Sequence, residues 1–361
     1  MAFLKDALHA NPLALTLAGL TIGFLFGAMA CVTNFCVMGA VSDWRTFGDK
    51  GRLGAAALAS AVAIAGAQML HTWGAVDLDK SMYLSPRINW AGALFGGLLF
   101  GFGMVRAGGC ASRNLIRAGA GDLRSLLTLA VLSIMAFATL SGVLGPVRNA
   151  FENATVVSST FLGLTAPSLT AIAAKFGLSP ETARVVAALA IALPLLLFAI
   201  LPGQILARPR NLIGGTAVGI LVTLGWLMTG LSFDDMDVHP VLPSSLSFVK
   251  PVGDAFDWVQ RSTALGWPGF GAATVFGALA GSFAVSRWRG HLRFSGFANR
   301  DDLVNHLSGA VLMGIGGVLG LGCSIGQGIT GLSTLSLQSL IAAAAILCGA
   351  VLGLKRLERR L

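Results

Sequence analysis

From Leu13 to Leu354 an apolar stretch recurs roughly every twenty to forty residues, with no long polar interruption. About twenty consecutive apolar residues are enough for one helical crossing of a bilayer. Candidate crossings fall at 13–32, 54–71, 90–105, 123–144, 183–205, 212–231, 270–285, 306–321 and 335–354, nine in all. Several are short unless a half-helix follows, and the segment 154–175 is expected to be amphipathic or re-entrant rather than a tenth crossing. Only 11% of the 361 residues are charged, against roughly 25% in a soluble domain, so no part is polar enough to fold separately in water. The expectation is an all-α polytopic membrane protein with about nine transmembrane helices plus short re-entrant half-helices, forming one membrane domain over residues 1–361.

Two compositional features sharpen this. The 47 glycines allow close helix approach in lipid, and they permit broken helices where backbone lines a cavity. The net charge of +9 is dispersed over short loops without aromatic interleaving, which sets topology rather than binding nucleic acid. Five basic groups fall on one side of the predicted crossings: Arg45, Lys50 and Arg52; Arg106, Arg113, Arg117 and Arg124; Arg208 and Arg210; Arg287, Arg289, Arg293 and Arg300; Lys355, Arg356, Arg359 and Arg360. Asp77, Asp79, Asp234, Asp235, Asp237, Asp254 and Asp257 fall on the other. The positive-inside rule then puts the N-terminus outside and the C-terminus in the cytoplasm. Lys5 with the apolar run to Cys31 imitates a signal peptide, and Ala28-Met29-Ala30-Cys31 a lipoprotein cleavage site. The repeat described next argues for retention as a first crossing.

Gly27, Gly101 and Gly314 each stand nine residues before a cysteine: Cys36, Cys110 and Cys323. A fourth copy, starting at Gly219, ends in Met228. Related segments follow two of the cysteines, Leu123-Arg124-Ser125-Leu126 and Leu337-Gln338-Ser339-Leu340, at offsets of 13 and 14 residues. The crossing before Cys110 runs inward and the one before Cys323 outward, which predicts an inverted pseudo-twofold repeat with halves of about 1–175 and 176–361.

Glycines precede two of these thiols and small polar groups follow them, in Gly108-Gly109-Cys110-Ala111-Ser112-Arg113-Asn114 and Gly322-Cys323-Ser324-Ile325-Gly326-Gln327. Asn34-Phe35-Cys36 is a looser version. This is the pattern of one half-helix stopping and another starting, whose free N–H groups favour an anion. In apolar surroundings the thiols are expected as neutral S–H groups, weak polarizable donors that do not repel one. Arg113 would add field on the exit side, whereas Arg117 and Arg124 read as topology charges. Ser112, Asn114, Ser324 and Gln327 are either packing groups or substrate contacts. Cys31 and Cys348 read as packing cysteines.

No Cys-x-x-Cys pair or neighbouring histidine supports a metal, and His9, His71, His239, His291 and His306 are scattered over loops and the ends of predicted crossings. No carboxylate lies well inside a crossing, as a proton relay would need, and Walker A, His-Glu-x-x-His and Gly-x-Ser-x-Gly patterns are missing. No cofactor and no enzymatic role are expected.

The three Gly-x8-Cys units and the segments around Cys110 and Cys323 resemble the YeeE/YedE family of bacterial inner-membrane sulfur transporters, over nearly the whole chain. The resemblance implies an hourglass-shaped fold with short helices meeting mid-membrane. It also implies import of a small sulfur-containing anion, thiosulfate first, passed along S–H groups of Cys36, Cys110 and Cys323. Asn34, Ser112, Arg113, Asn114, Ser324 and Gln327 complete the candidate site. Other members of that family are linked to selenium compounds, and some work beside a small TusA-like sulfur carrier in the cytoplasm. Two rival readings stay open: a membrane-embedded sulfurtransferase forming a persulfide at Cys110, flanked by Arg106 and Arg113, and a partner subunit whose cysteines only pack.

Overall fold

A computed structural model of the chain describes residues 12–161, 163–164, 166–201, 203, 205–235 and 241–359. Lys5, His9, Asp237, His239 and Arg360, which entered the charge and histidine readings, lie outside the described residues.

Nine crossings form among the described residues: α1 (Pro12–Thr33), α3 (Gly51–Thr72), α4 (Gly97–Arg106, entered through a π-helical turn at Gly92–Gly96), α6 (Leu123–Leu140), α9 (Pro180–Ile200), α10 (Pro209–Leu231), α12 (Phe270–Trp288), α13 (Arg300–Leu319) and α14 (Leu337–Glu358). Shorter helices lie between them: α2 (Val37–Phe47), α5 (Ala111–Gly119), α7 (Gly145–Thr155), α8 (Leu169–Lys175), α11 (Lys250–Leu265) and a π-helical turn at Gly326–Gly331. Two short strands, β1 (Arg87–Ile88) and β2 (Val157–Ser158), pair antiparallel. Crossing ends differ from the sequence reading by a few residues where local caps decide. Thus α13 starts at Arg300 rather than His306, because the Asn299 side chain accepts the Asp302 amide and acidic residues fill the first turn. The segment 154–175 makes no crossing; it holds β2 and the seven-residue α8, and the Leu169 amide donates to Leu335 just before α14.

Helix packing is set by glycine and alanine. α1 and α12 run parallel, with Gly23 and Gly27 against Thr274 and Ala278, and Gly277 and Gly281 against Leu20 and Phe24. α10 and α3 run parallel in the same way, with Gly215 on Ala55 and Gly219 on Ala59 and Val62. α4 lies parallel to α14 through Gly101 and Gly349, and α13 parallel to α6 through Gly314. At the centre α4 and α13 cross antiparallel, Gly96 meeting Gly316 and Gly103 meeting Gly309. Exchanging α1, α2, α3, α4 and α6 for α10, α11, α12, α13 and α14 maps α1–α12 onto α10–α3 and α4–α14 onto α13–α6 with directions reversed, and the central α4–α13 crossing onto itself. That is an inverted repeat, and it explains why glycine recurs nine residues before the cysteines: each marks an equivalent helix crossing. α9 has no counterpart in this exchange. It packs along α3 and turns Val185, Leu189 and Leu193 outward, the apolar face expected against lipid.

The alternation of crossings gathers the basic loops at one end of the molecule, where Arg45 pairs with Glu358, Arg208 with Asp49, and Arg124 with Asp302. Asp77, Asp79, Asp235, Asp254 and Asp257 occupy the opposite end. At the basic end Asp122 caps α6 by accepting the Arg124 amide, pairs with Arg117 and Arg124, and accepts from Ser125 and Ser295. Burial works against its charge, but the Arg124 hydrogen bond and the Arg117 guanidinium hold this carboxyl below the usual range. A depressed carboxyl contributes stability that is present above the unfolded value near pH 4 and is lost as pH falls through the folded value. Asp122→Asn keeps the cap but leaves Arg117 without a carboxylate and Arg124 with Asp302 alone, a loss of about 2 kcal/mol. The melting temperature of the detergent-purified variant is expected to lie several degrees below wild type at pH 7, with the gap narrowing as pH falls below about 4. A gap that is constant with pH would mean that the charge is not what Asp122 contributes.

Candidate functional site

The three repeated cysteines share one backbone device. Two residues before each thiol the chain turns left-handed, at Asn34 (φ 57°), Gly108 (φ 64°) and Leu321 (φ 55°). This ends α1, α4 and α13, and the cysteine then opens the next helical segment. Asparagine and glycine tolerate this conformation, whereas for Leu321 it costs about 1–2 kcal/mol, so the surrounding structure imposes it. Cys36 caps α2 with its sulfur accepting the Gly39 amide at 3.3 Å, and Cys323 accepts the Gly326 amide at 3.2 Å in the same i+3 relation. Cys110 caps α5 in extended geometry, and its sulfur lies 3.2 Å from the Ser112 hydroxyl.

The turns converge. Cys110 is fully buried and central, with the Cys36 thiol and the Ser324 hydroxyl beside it and Cys323 close enough to be coupled to it electrostatically. Cys36 is 7% exposed, Cys323 0%. Arg113, one turn along α5, sets its charge near Cys36 and has no ion-pair partner among the described residues. Asn114 and Gln327 occupy matching positions, four residues after Cys110 and Cys323. The Asn114 amide donates to the carbonyls of Gly109 (2.9 Å) and Cys110 (3.2 Å), and the Gln327 amide to that of Gly320 (2.6 Å). Both brace the turn that presents the thiol. Their side-chain oxygens and the Ser324 hydroxyl are buried without a hydrogen-bond partner, an arrangement that calls for a further polar group. Asn34 takes part through its carbonyl, which accepts from Arg52 at 2.9 Å. Cys31 contacts Ser286 and Cys348 is exposed on α14, both away from this cluster.

The fourth copy of the repeat departs from its sequence signature. α10 continues through Met228 to Leu231, so no half-helix opens there. After it an irregular segment, 241–249, returns into the molecule with Leu246, Phe248 and Val249 buried. Its backbone is satisfied by side chains: Thr229 donates to the Ser244 carbonyl at 2.6 Å, and Thr330 to that of Leu246 at 2.7 Å. Non-helical backbone at this depth is tolerated where protein or a cavity surrounds it. By its place before α11, Val249 is the counterpart of Cys36, and the fourth thiol is replaced by an apolar side chain.

Two cavities approach the thiols from opposite ends. One of about 390 Å³ opens at the acidic end and has Leu321 and Gly322 among its lining, with Tyr83, Ser247 and Lys250 also on its wall. Tyr83, the chain's only tyrosine, interacts with Cys323. The other, about 440 Å³, opens at the basic end and is lined by Thr33, Asn34, Arg52 and Arg210; a narrow crevice shares these residues and reaches Cys36. Arg52, Tyr83, Ser247 and Val249 were not read as site residues from the sequence. Arg52 looked like one more loop charge, and no spacing or motif marks the other three.

A family model described as "Sulphur transport" matches residues 32–352. The chain belongs to this sulphur-transport family. The match begins just ahead of Cys36 and ends within α14, so it takes in all three thiol turns. Among curated relatives, the "Thiosulfate transporter TsuA" of Spirochaeta thermophila is 26% identical over 343 residues, covering 92% of this chain and 96% of that protein. The "Thiosulfate transporter TsuA" of Escherichia coli is 25% identical over 351 residues, covering 93% of each. A sulphur-transport family member with nine apolar helices among its described residues is a multi-pass membrane protein.

Proposed function

We propose that the protein imports thiosulfate across the bacterial inner membrane, with Cys323, Cys110 and Cys36 as successive stations. The observation that carries this reading is the placement of three neighbouring buried thiols between two cavities that open at opposite ends. An anion leaving the acidic-end cavity at Gly322 meets Cys323, and one leaving Cys36 meets the basic-end crevice. Thiols and the buried hydroxyls of Ser112 and Ser324 replace hydration without fixed charge, which holds an anion weakly enough to let it go. Arg113 draws it toward Cys36. The names of the two relatives support thiosulfate over sulfite, selenite or another selenium compound. The positive-inside rule makes the basic end cytoplasmic, with the N-terminus outside, and a TusA-like carrier would receive sulfur there. Residues 1–175 and 176–361 would be the two halves, with α9 added to the second. Complete burial of Cys110 favours passage of the intact ion over persulfide hand-off to a soluble carrier, which needs an accessible thiol.

Inward movement of a dianion works against an inside-negative potential by about 5 kcal/mol per 100 mV for two charges, so uptake must be driven by consumption inside or by a coupled cation. The test is uptake of thiosulfate labelled with sulfur-35 at the outer sulfur into proteoliposomes, with labelled sulfate as control and the potential clamped. Saturable thiosulfate uptake that increases when the interior is made positive is expected, with intact ion recovered inside. Labelled protein persulfide in place of free thiosulfate would instead favour sulfur transfer, and absence of uptake by well-folded protein would discard import by this chain alone.

A further inference from the structure

We propose that the basic-end mouth holds a separate binding site for a small dianionic oxyanion, formed by the Asn211 amide, the Arg52 and Arg210 guanidinium groups and the open N-terminus of α10. Three features of the mouth converge on this. Asn211 is only 8% exposed, lines the crevice beside Cys36, and its amide nitrogen is buried without a hydrogen-bond partner. Leaving such a donor unmet costs about 1–3 kcal/mol, so a ligand oxygen there is favoured. The 23-residue α10 starts at this point with no side-chain cap, since Arg208 at the cap position makes none and Pro209 follows it. The positive end of the helix dipole therefore lies beside the crevice with no side-chain cap, and the carboxylate near it, Asp49, is paired with Arg208.

The arginines divide their tasks. Arg208 is taken up by Asp49. Arg52 gives its two terminal nitrogens to Asp43 (3.0 Å) and the Asn34 carbonyl (2.9 Å), which leaves its Nε buried and unpartnered. Arg210 lines both the crevice and the cavity of about 440 Å³ and pairs with no carboxylate among the described residues. The mouth thus offers N–H donors and positive charge, with its nearest carboxylates, Asp43 and Asp49, already paired. This differs in kind from the thiol stations. Soft S–H groups select for a sulfur-bearing anion, whereas N–H donors read oxygen atoms and charge, which sulfate and thiosulfate share. Anions held here would sit one step beyond Cys36. The site would keep an arriving ion from returning, and sulfate on the same side would compete for it. This inference rests on the transport reading for the probe anion and for the direction from which an ion arrives.

The test is equilibrium binding of sulfur-35 thiosulfate and sulfur-35 sulfate to detergent-purified full-length protein carrying Cys110→Ala, which breaks the relay and leaves the mouth intact. Saturable binding of both anions is expected. Adding Asn211→Leu or Arg210→Gln should raise both dissociation constants by about tenfold or more, the loss of one charge-assisted hydrogen bond. Size-exclusion profile and melting temperature establish folding, and Asn211→Ser supplies a smaller change if the leucine variant does not fold. The proposal is overturned if affinity is the same in the mouth variants, if thiosulfate binds but sulfate does not, or if the Cys110→Ala protein binds neither while wild type does. Uptake that fails while this binding persists would count against the transport reading alone; uptake that persists without it would count against this site alone.

Discussion

Cys110→Ala should lower thiosulfate uptake in proteoliposomes by roughly 10- to 100-fold while the protein stays folded. The size follows from what is removed. A hydrogen bond to a charged group contributes about 1.5–3 kcal/mol, and each 1.4 kcal/mol of barrier is about a factor of ten in rate. Cys110 is the middle station, beside Cys36 on one side and electrostatically coupled to Cys323 on the other. Without it an anion has to leave Cys323 before any donor of the Cys36 turn can reach it. The void is that of one sulfur atom, which costs about 1 kcal/mol of stability, so purification and melting should change little. Cys110→Ser retains a donor at nearly the same place and is expected to keep more uptake than the alanine variant. Cys348→Ala, on the exposed face of α14, is the control and should behave as wild type. Full uptake by Cys110→Ala would remove the relay from the mechanism and leave the cysteines as packing groups.

The same geometry shows which parts of the site could be read from the chain and which could not. Gly27, Gly101 and Gly314 were readable because one physical demand, close approach of two parallel helices, fixes glycine at one place relative to the thiol turn. That demand also keeps Gly219 on Val62 and Ala59, so the fourth glycine is genuine although Met228 is not its functional partner. There the connection to the next short helix is lengthened from three residues after α1 to eighteen after α10, and a fixed spacing cannot survive such an insertion. Asn114 and Gln327 were visible as polar residues near the thiols, but their bracing of the preceding turn depends on where Gly109 and Gly320 point their carbonyls. Arg52 and Arg210 illustrate the opposite limit. Topology charge and ligand charge have the same composition, and only the orphaned donor of Asn211 beside them tells the two apart.

Gly101→Leu should prevent accumulation of folded protein. A Cβ at Gly101 would lie 2.1 Å from the carbonyl oxygen of Ile346 and 2.8 Å from the amide nitrogen of Ala350, both backbone atoms of α14. Backbone in a helix packed on several sides has nowhere to retreat, so α4 and α14 must separate. That loosens the contact at Gly349, where an added Cβ would stand 2.3 Å from the Leu98 carbonyl, and it moves the end of α4 that carries the Gly108–Cys110 turn. Overpacking typically costs about 1–3 kcal/mol where side chains can yield. Here the clash is with main chain and leucine adds several atoms, so the penalty should approach the whole of a stability of about 5–15 kcal/mol. Gly27→Leu, 2.1 Å from the Ala278 carbonyl at the α1–α12 crossing, should behave alike. Gly296→Ala, with no atom within 4 Å of the new methyl, should change stability by less than about 0.5 kcal/mol. Fluorescence-detected size-exclusion chromatography of solubilised membranes distinguishes these outcomes. A symmetric peak of wild-type height for Gly101→Leu would mean that α4 and α14 do not touch at this level, and with that the depth at which Cys110 is presented would no longer follow from the glycine nine residues before it.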